Sequence, residues 1–139
     1  MRLKDKIALV TGASQGIGRV IACRMAAEGA RVVLTARNEP NLQKTSKLIA
    51  AAGGSSLVIP ADLADKKSLV NLIEKTLAEW GAIDILVNNS GIIGPTKRCE
   101  EISRQGWDEC MSVNMTGVFL LTQAALPAMK KNRSGTIIN

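Results

Sequence analysis

Ile7-Ala8-Leu9-Val10-Thr11-Gly12-Ala13-Ser14-Gln15-Gly16-Ile17-Gly18 joins a short apolar run, a turn with three glycines and the opening of a helical pattern. The continuous run Ile7-Ala8-Leu9-Val10 predicts a strand buried on both faces. Gly12 allows a sharp turn, and Gly16 and Gly18 let neighbouring groups approach the helix backbone closely. The first N–H groups of a helix lack intrahelical acceptors and lie at the positive end of its dipole, so this position favours an anion. Ser14 adds a hydroxyl donor there. A strand feeding a glycine turn that opens a helix is the context in which such a pattern signals phosphate binding. The spacing G-x-x-x-G-x-G differs from the general dinucleotide fingerprint G-x-G-x-x-G. It also lacks the Gly-Lys-Ser/Thr ending of a P-loop, which argues against a Walker-type nucleotide hydrolase.

Outward from this turn, short apolar runs alternate with helical spacing. Residues 16–28 read as a helix with Ile17, Ile21 and Met25 on one stripe, closed by Gly29. A second strand covers Arg31–Thr35, a helix covers 41–52 and stops at Gly53-Gly54, and a third strand covers 57–59. Asp65 or Ser68 caps the next helix, whose apolar face is Leu69, Leu72, Ile73, Thr76, Leu77 and Trp80, and Gly81 ends it. A fourth strand at 83–87 runs into Asn88-Asn89-Ser90-Gly91. A long helix is expected over 107–130, with Pro127 disturbing its last turns, before a fifth strand begins at 135–139. Strands alternating with helices predict an α/β fold, a doubly wound parallel sheet with right-handed crossovers. In such sheets a ligand sits beyond the carboxyl ends of the strands where strand order reverses.

Composition fits a single domain with an aliphatic core. Of 139 residues 46% are hydrophobic, and there are one Phe, two Trp and no Tyr, so Val, Ile, Leu, Ala and Met must fill the interior. The net charge of +6 invites a nucleic-acid reading, but the basic residues are spread along the chain, the tightest groups being Lys66-Lys67, Lys97-Arg98 and Lys130-Lys131. No nucleic-acid partner is expected. Cys23, Cys99 and Cys110 form no CxxC pair and make an odd count, which suits a reducing compartment. Without His the commonest metal ligand is missing, and no metal site is expected. No signal-peptide h-region and no apolar run of roughly 18 residues is present, so the expected location is cytoplasmic, away from membranes.

At this point the chain resembles a family, the short-chain dehydrogenases/reductases. Thr11 to Gly18 matches its first motif, T-G-x-x-x-G-x-G. Asp62-Leu63 after the third strand resembles its acidic contact near the adenine ring, and Asn88-Asn89-Ser90-Gly91 resembles its N-N-A-G motif, with Ser90 in place of the usual Ala. Asn114 stands in the long helix where the family keeps a catalytic-relay asparagine. The resemblance runs over essentially the whole chain. It implies a Rossmann-like dinucleotide site built from Gly12, Ser14, Gln15, Gly16, Ile17, Gly18, Asp62, Leu63, Asn89, Ser90 and Gly91, and hydride transfer between the nicotinamide and a carbonyl or alcohol substrate. Taken without the family, Asp62 also reads as a turn residue or helix cap, and Asn88-Asn89 as a turn former.

Cofactor choice is read at the end of the second strand. NAD sites usually place Asp or Glu there to accept from the ribose 2′-OH. This chain has Thr35-Ala36-Arg37-Asn38 instead. The Arg37 guanidinium suits a 2′-phosphate and small Ala36 leaves room, so NADP is expected over NAD, with Arg37 and Asn38 in contact with it. Gln15 stands where many NADP users of the family carry a second basic residue.

The resemblance also implies a catalytic Tyr, a Lys four residues later and a Ser, all beyond the fifth strand. The chain contains no Tyr, so Asn114 is the only relay member expected within it. The reading is that residues 1–139 are the N-terminal cofactor-binding part of a longer oxidoreductase, truncated within the fifth strand and inactive alone. A non-catalytic dinucleotide sensor or scaffold is the alternative. The helix at 107–130 is apolar well round its circumference (Val118, Phe119, Leu120, Leu121, Leu126, Met129), and the family packs the matching helix between subunits, which implies a homo-oligomer.

Overall fold

A computed structural model describes residues 1–139. The chain runs β1 (Ile7–Thr11), α1 (Gly16–Ala27), β2 (Arg31–Thr35), α2 (Glu39–Ala51), β3 (Ser55–Val58), α3 (Lys66–Trp80), β4 (Ile85–Val87), α4 (Arg104–Met111), α5 (Val118–Lys131) and β5 (Thr136–Ile138). A single turn of 3-10 helix (Cys99–Glu101) precedes α4. The five strands form one parallel sheet in the order β3-β2-β1-β4-β5. This is the doubly wound α/β sheet expected. Strand order reverses between β1 and β4, so the two crossovers diverge and open a crevice at the carboxyl ends of those strands.

Side chains alternate across the sheet, and the core divides accordingly. Leu9, Val33 and Leu86 point to the layer holding Leu69, Leu72 and Ile73 of α3 and Leu121, Ala125 and Met129 of α5. Ala8, Val10, Val32, Leu34, Ile85 and Val87 point to the opposite layer, where Ala22 and Ala26 of α1 and Leu42 and Ile49 of α2 meet them. Wherever a strand is flanked by helices on both faces, consecutive residues are all buried, which is why β1 reads as an unbroken apolar run.

Three expectations are corrected. The residues α1 buries fully against the sheet are Gly18, Ala22 and Ala26; of the expected stripe Ile21 and Met25 pack at the edge of that core, while Ile17 is 74% exposed and takes no part. Close approach of helix and strand behind the glycine turn demands small residues, and that demand overrides the larger apolar stripe. α2 starts at Glu39 rather than 41 because the Asn38 side chain accepts from the Asn41 N–H at 3.0 Å and Pro40 fits the first turn. The segment expected as one helix over 107–130 starts earlier, at Arg104 behind a Ser103 cap, and is interrupted over Ser112–Gly117 by a turn of wider, π-helical pitch. α5 then passes through Pro127 to Lys131. For α3 the cap is Asp65, which accepts from the N–H groups of Lys67 and Ser68.

Candidate functional site

The crevice at the switch point is a cleft of about 670 Å³. It is lined from the glycine turn by Gly12, Ser14 and Gln15, and from the end of β2 and the start of α2 by Ala36, Arg37, Asn38 and Asn41. Ala61, Asp62 and Leu63 line it after β3, and Asn89, Ser90, Gly91 and Ile92 after β4. Val113, in the wide turn, completes the wall. The segments named by the sequence motifs therefore converge on one concavity although they are far apart in the chain.

The glycine turn presents backbone rather than side chains. Gly12 has φ +67°, a left-handed conformation that side chains disfavour, and Gly16 has φ +53° with open space where a Cβ would stand. Gly18 is forced for another reason. A Cβ on it would collide with the Gly12 carbonyl and come 2.5 Å from Asn89 Nδ2. α2, α3 and α4 each have a side-chain N-cap, whereas α1 has none and carries no acid in its first turn. The backbone N–H groups of Ser14, Gln15, Gly16, Ile17 and Gly18 meet no protein acceptor. A run of oriented, unpartnered donors at a helix N-terminus is an anion cradle. Gly16, Ile17 and Gly18 contribute to it through these amides and do not line the cleft with side chains.

Opposite the cradle, β4 delivers the Asn88–Gly91 segment. Thr11 Oγ1 accepts from the Asn89 N–H and the Ser90 N–H, both at 2.9 Å, and Asn89 Nδ2 donates to the Thr11 carbonyl at 3.0 Å. These bonds lock the two walls together at the ends of β1 and β4. Asn88 points elsewhere: its Nδ2 donates to Thr122 Oγ1 of α5 and to Asn139 Oδ1, so it braces the sheet rather than the cleft.

Asp62 combines the two roles weighed for it. Its Oδ1 accepts from the Ala64 N–H at 2.9 Å, a turn bond, and its own N–H donates to Ser68 Oγ at 3.0 Å, yet it lines the cleft. Leu63 is buried beside it, with its carbonyl 2.5 Å from where a Cβ on Gly117 would stand, so glycine in the wide turn is what lets that turn approach the β3 loop. Arg37 is exposed at the rim, and no carboxylate lies within ion-pair distance of its guanidinium.

Asn114 does not line the cleft. It sits in the wide turn and holds the cleft wall from behind. Its Oδ1 accepts from the Ile92 N–H and its Nδ2 donates to the Ile92 carbonyl, both at 2.8 Å, with a further contact to Cys110 Sγ at 3.3 Å. The carboxamide thus imitates a strand partner for one residue of the loop that follows β4. Turns of π-helical pitch recur at functional sites, where the extra residue per turn re-aims backbone and side chains. Asn41, Ala61, Ile92 and Val113 were not singled out from the sequence. Asn41 lies in the first turn of α2 beside Asn38, and a look at capping there would have found it; the other three carry no chemical signal.

A parallel α/β sheet with an uncapped, glycine-lined helix N-terminus at its switch point defines a Rossmann-like class of fold. The short chain dehydrogenase family model matches residues 6–139, and the chain belongs to that family. It is 39% identical over 139 residues to an uncharacterized oxidoreductase of Thermotoga maritima, covering all of this chain and 54% of that protein. It is 41% identical over 138 residues to the 3-oxoacyl-(acyl-carrier-protein) reductase FabG of Escherichia coli, covering 99% of this chain and 55% of that one. A crystal structure of a metagenomic short-chain oxidoreductase in complex with NADP superposes with a TM-score of 0.97 at 37% identity, over all of this chain and 63% of the other. The chain thus spans about half the length of the curated relatives it matches.

Proposed function

We propose that residues 1–139 form the NADP-binding domain of a short-chain oxidoreductase that moves hydride between the nicotinamide and a carbonyl or alcohol substrate. The observation that carries this reading is the pairing of the anion cradle at α1 with a free Arg37, and no acid, at the end of β2. The cradle matches the charge of a pyrophosphate. Arg37 offers a planar, permanently charged fork for a 2′-phosphate, and a carboxylate that would accept from a free 2′-OH is missing. Asp62 and Leu63 suit the adenine end of the cleft, and Asn89, Ser90 and Gly91 the part nearest the reacting ring. A bound nicotinamide supplies the hydride chemistry; the protein's share is to hold and orient it in the cleft.

Asn114 is the relay member of this chain, and its grip on Ile92 holds its backbone beside the cleft. The chain has no Tyr to serve as the family's general acid and no His to stand in for it; alone it binds cofactor and turns nothing over. Partnering follows from α4 and α5. Trp107, Met115 and Phe119 are more than half exposed, while Leu121, Ala125 and Met129 of the same segment pack on the sheet, and this outer apolar face suits a second copy of the chain. No helix is long and apolar enough to cross a membrane.

Fluorescence titration with NADPH and NADH tests the cofactor assignment. Tighter binding of NADPH is the expected result; equal or reversed affinities overturn it. Sedimentation of the chain at two concentrations tests the self-association.

A further inference from the structure

Behind the glycine turn lies a polar cluster, Arg19 and Thr45, whose side chains do not line the cleft but hold the backbone of residues that do. Thr45 of α2 is fully buried, and its hydroxyl donates to the Ala13 carbonyl at 2.9 Å, with the Asn41 carbonyl 3.3 Å away. The same oxygen accepts from Arg19 Nε at 3.0 Å. Arg19, on the second turn of α1, also donates through Nη2 to the Ser14 carbonyl. None of the four ion pairs involves Arg19, so its charge stands uncompensated behind the turn.

We propose that Arg19 and Thr45 are positioning residues that aim the Ser14 and Gln15 amides at a bound dinucleotide phosphate. The proposal rests on the reading of the cleft as a dinucleotide site. All peptide bonds here are trans, and across a trans peptide the carbonyl and the following N–H point in opposite directions. Pinning the Ala13 oxygen toward α2 therefore turns the Ser14 N–H away from α2, and pinning the Ser14 oxygen on Arg19 does the same for the Gln15 N–H. Both amides lack a protein acceptor, and both residues line the cleft. Thr45 also ties this orientation to the first turn of α2, where Asn38 and Asn41 form the facing rim. Donors fixed before the anion arrives need no reorganisation on binding, and the Arg19 charge adds a field of the right sign.

The experiment compares the wild-type chain with Thr45→Val, Thr45→Ser and Arg19→Met, using NADPH as probe and adenosine, which has no phosphate, as control. Thr45→Val keeps the shape of the side chain and removes the hydroxyl, so NADPH affinity is expected to fall about tenfold. Thr45→Ser restores it, Arg19→Met weakens it at least as much as Thr45→Val, and adenosine binding stays unchanged throughout. The amide resonances of Ser14 and Gln15 shift in ligand-free Thr45→Val. Wild-type NADPH affinity in Thr45→Val, or parallel loss of NADPH and adenosine, overturns the proposal. If Thr45→Val does not fold, Arg19→Met, altered at a half-buried position, decides by the same criteria. A wild-type chain that ignores NADPH overturns the dinucleotide reading itself, and the two amide resonances then report separately whether the hydroxyl orients the turn.

Discussion

Thr11 and Asn89, 78 residues apart, are joined twice: the Asn89 N–H donates to the Thr11 hydroxyl at 2.9 Å, and Asn89 Nδ2 donates to the Thr11 carbonyl at 3.0 Å. The same hydroxyl takes the Ser90 N–H as well. One side chain therefore satisfies two amides just where β4 leaves the sheet, and it sets the width of the cleft between its two central walls. Thr11 is buried, so water cannot replace it.

Thr11→Val should lower stability by about 1–3 kcal/mol, since it keeps the shape and leaves the Asn89 and Ser90 amides without an acceptor. Urea unfolding monitored by circular dichroism checks this. Thr11→Ser, which retains the oxygen, should lose less than half as much; equal losses in the two variants would show that packing rather than the hydroxyl matters.

Gly18→Ala adds one methyl group against the Gly12 carbonyl and Asn89 Nδ2. Both neighbours are tied into the cleft, so the helix must move instead. A loss of about 1–3 kcal/mol in stability is expected, with weaker NADPH binding. Gly53→Ala is the contrast, at φ +77° with open space around the Cβ, where the cost is the backbone conformation alone, about 1 kcal/mol. Thermal unfolding of the two variants side by side distinguishes collision from conformational strain.

Asn114→Leu removes both bonds to Ile92. Hydrogen exchange at the Ile92 amide is expected to quicken about tenfold, the equivalent of about 1.4 kcal/mol in local opening. Asn114→Asp keeps the acceptor for the Ile92 N–H and loses the donor to the Ile92 carbonyl, so its effect should fall between the two. No change in either variant would mean that the loop after β4 is held by packing alone.

Arg37→Asp exchanges the free guanidinium at the rim for a carboxylate. NADPH affinity should drop by about ten- to hundredfold while NADH affinity rises, because the carboxylate repels a 2′-phosphate and accepts from a 2′-OH. If the ratio of the two affinities does not move, Arg37 does not select the cofactor.

Much of this fold was legible in one dimension. The unbroken run at 7–10, the glycine turn after it and the i, i+3, i+4 pattern from Leu69 to Trp80 each depend on residues a few positions apart, and period and turn chemistry act locally. The motif residues Gly12, Ser14, Arg37, Asp62 and Asn89 were legible for the same reason, since each lies in the loop that follows a strand. The docking face of α1 was not: Gly18, Ala22 and Ala26 win it because the strands and the Asn89 amide leave no room for Ile17. The wide turn at Ser112–Gly117 was not either, because Leu63 and Ile92, which it accommodates, come from distant segments.

The sequence by itself therefore determined the alternation of strands and helices, the anion-favouring turn and the residues at the strand ends. Tertiary structure decided which of those ends face one another. It set the reversal of strand order beside β1, joined Thr11 to Asn89, and brought Thr45 of α2 beneath the glycine turn to meet Arg19. The physical reason is the range of the forces involved. Backbone preference and hydrophobic period are written over a few neighbours, whereas the partners of a buried hydroxyl or carboxamide exist only once distant segments have packed.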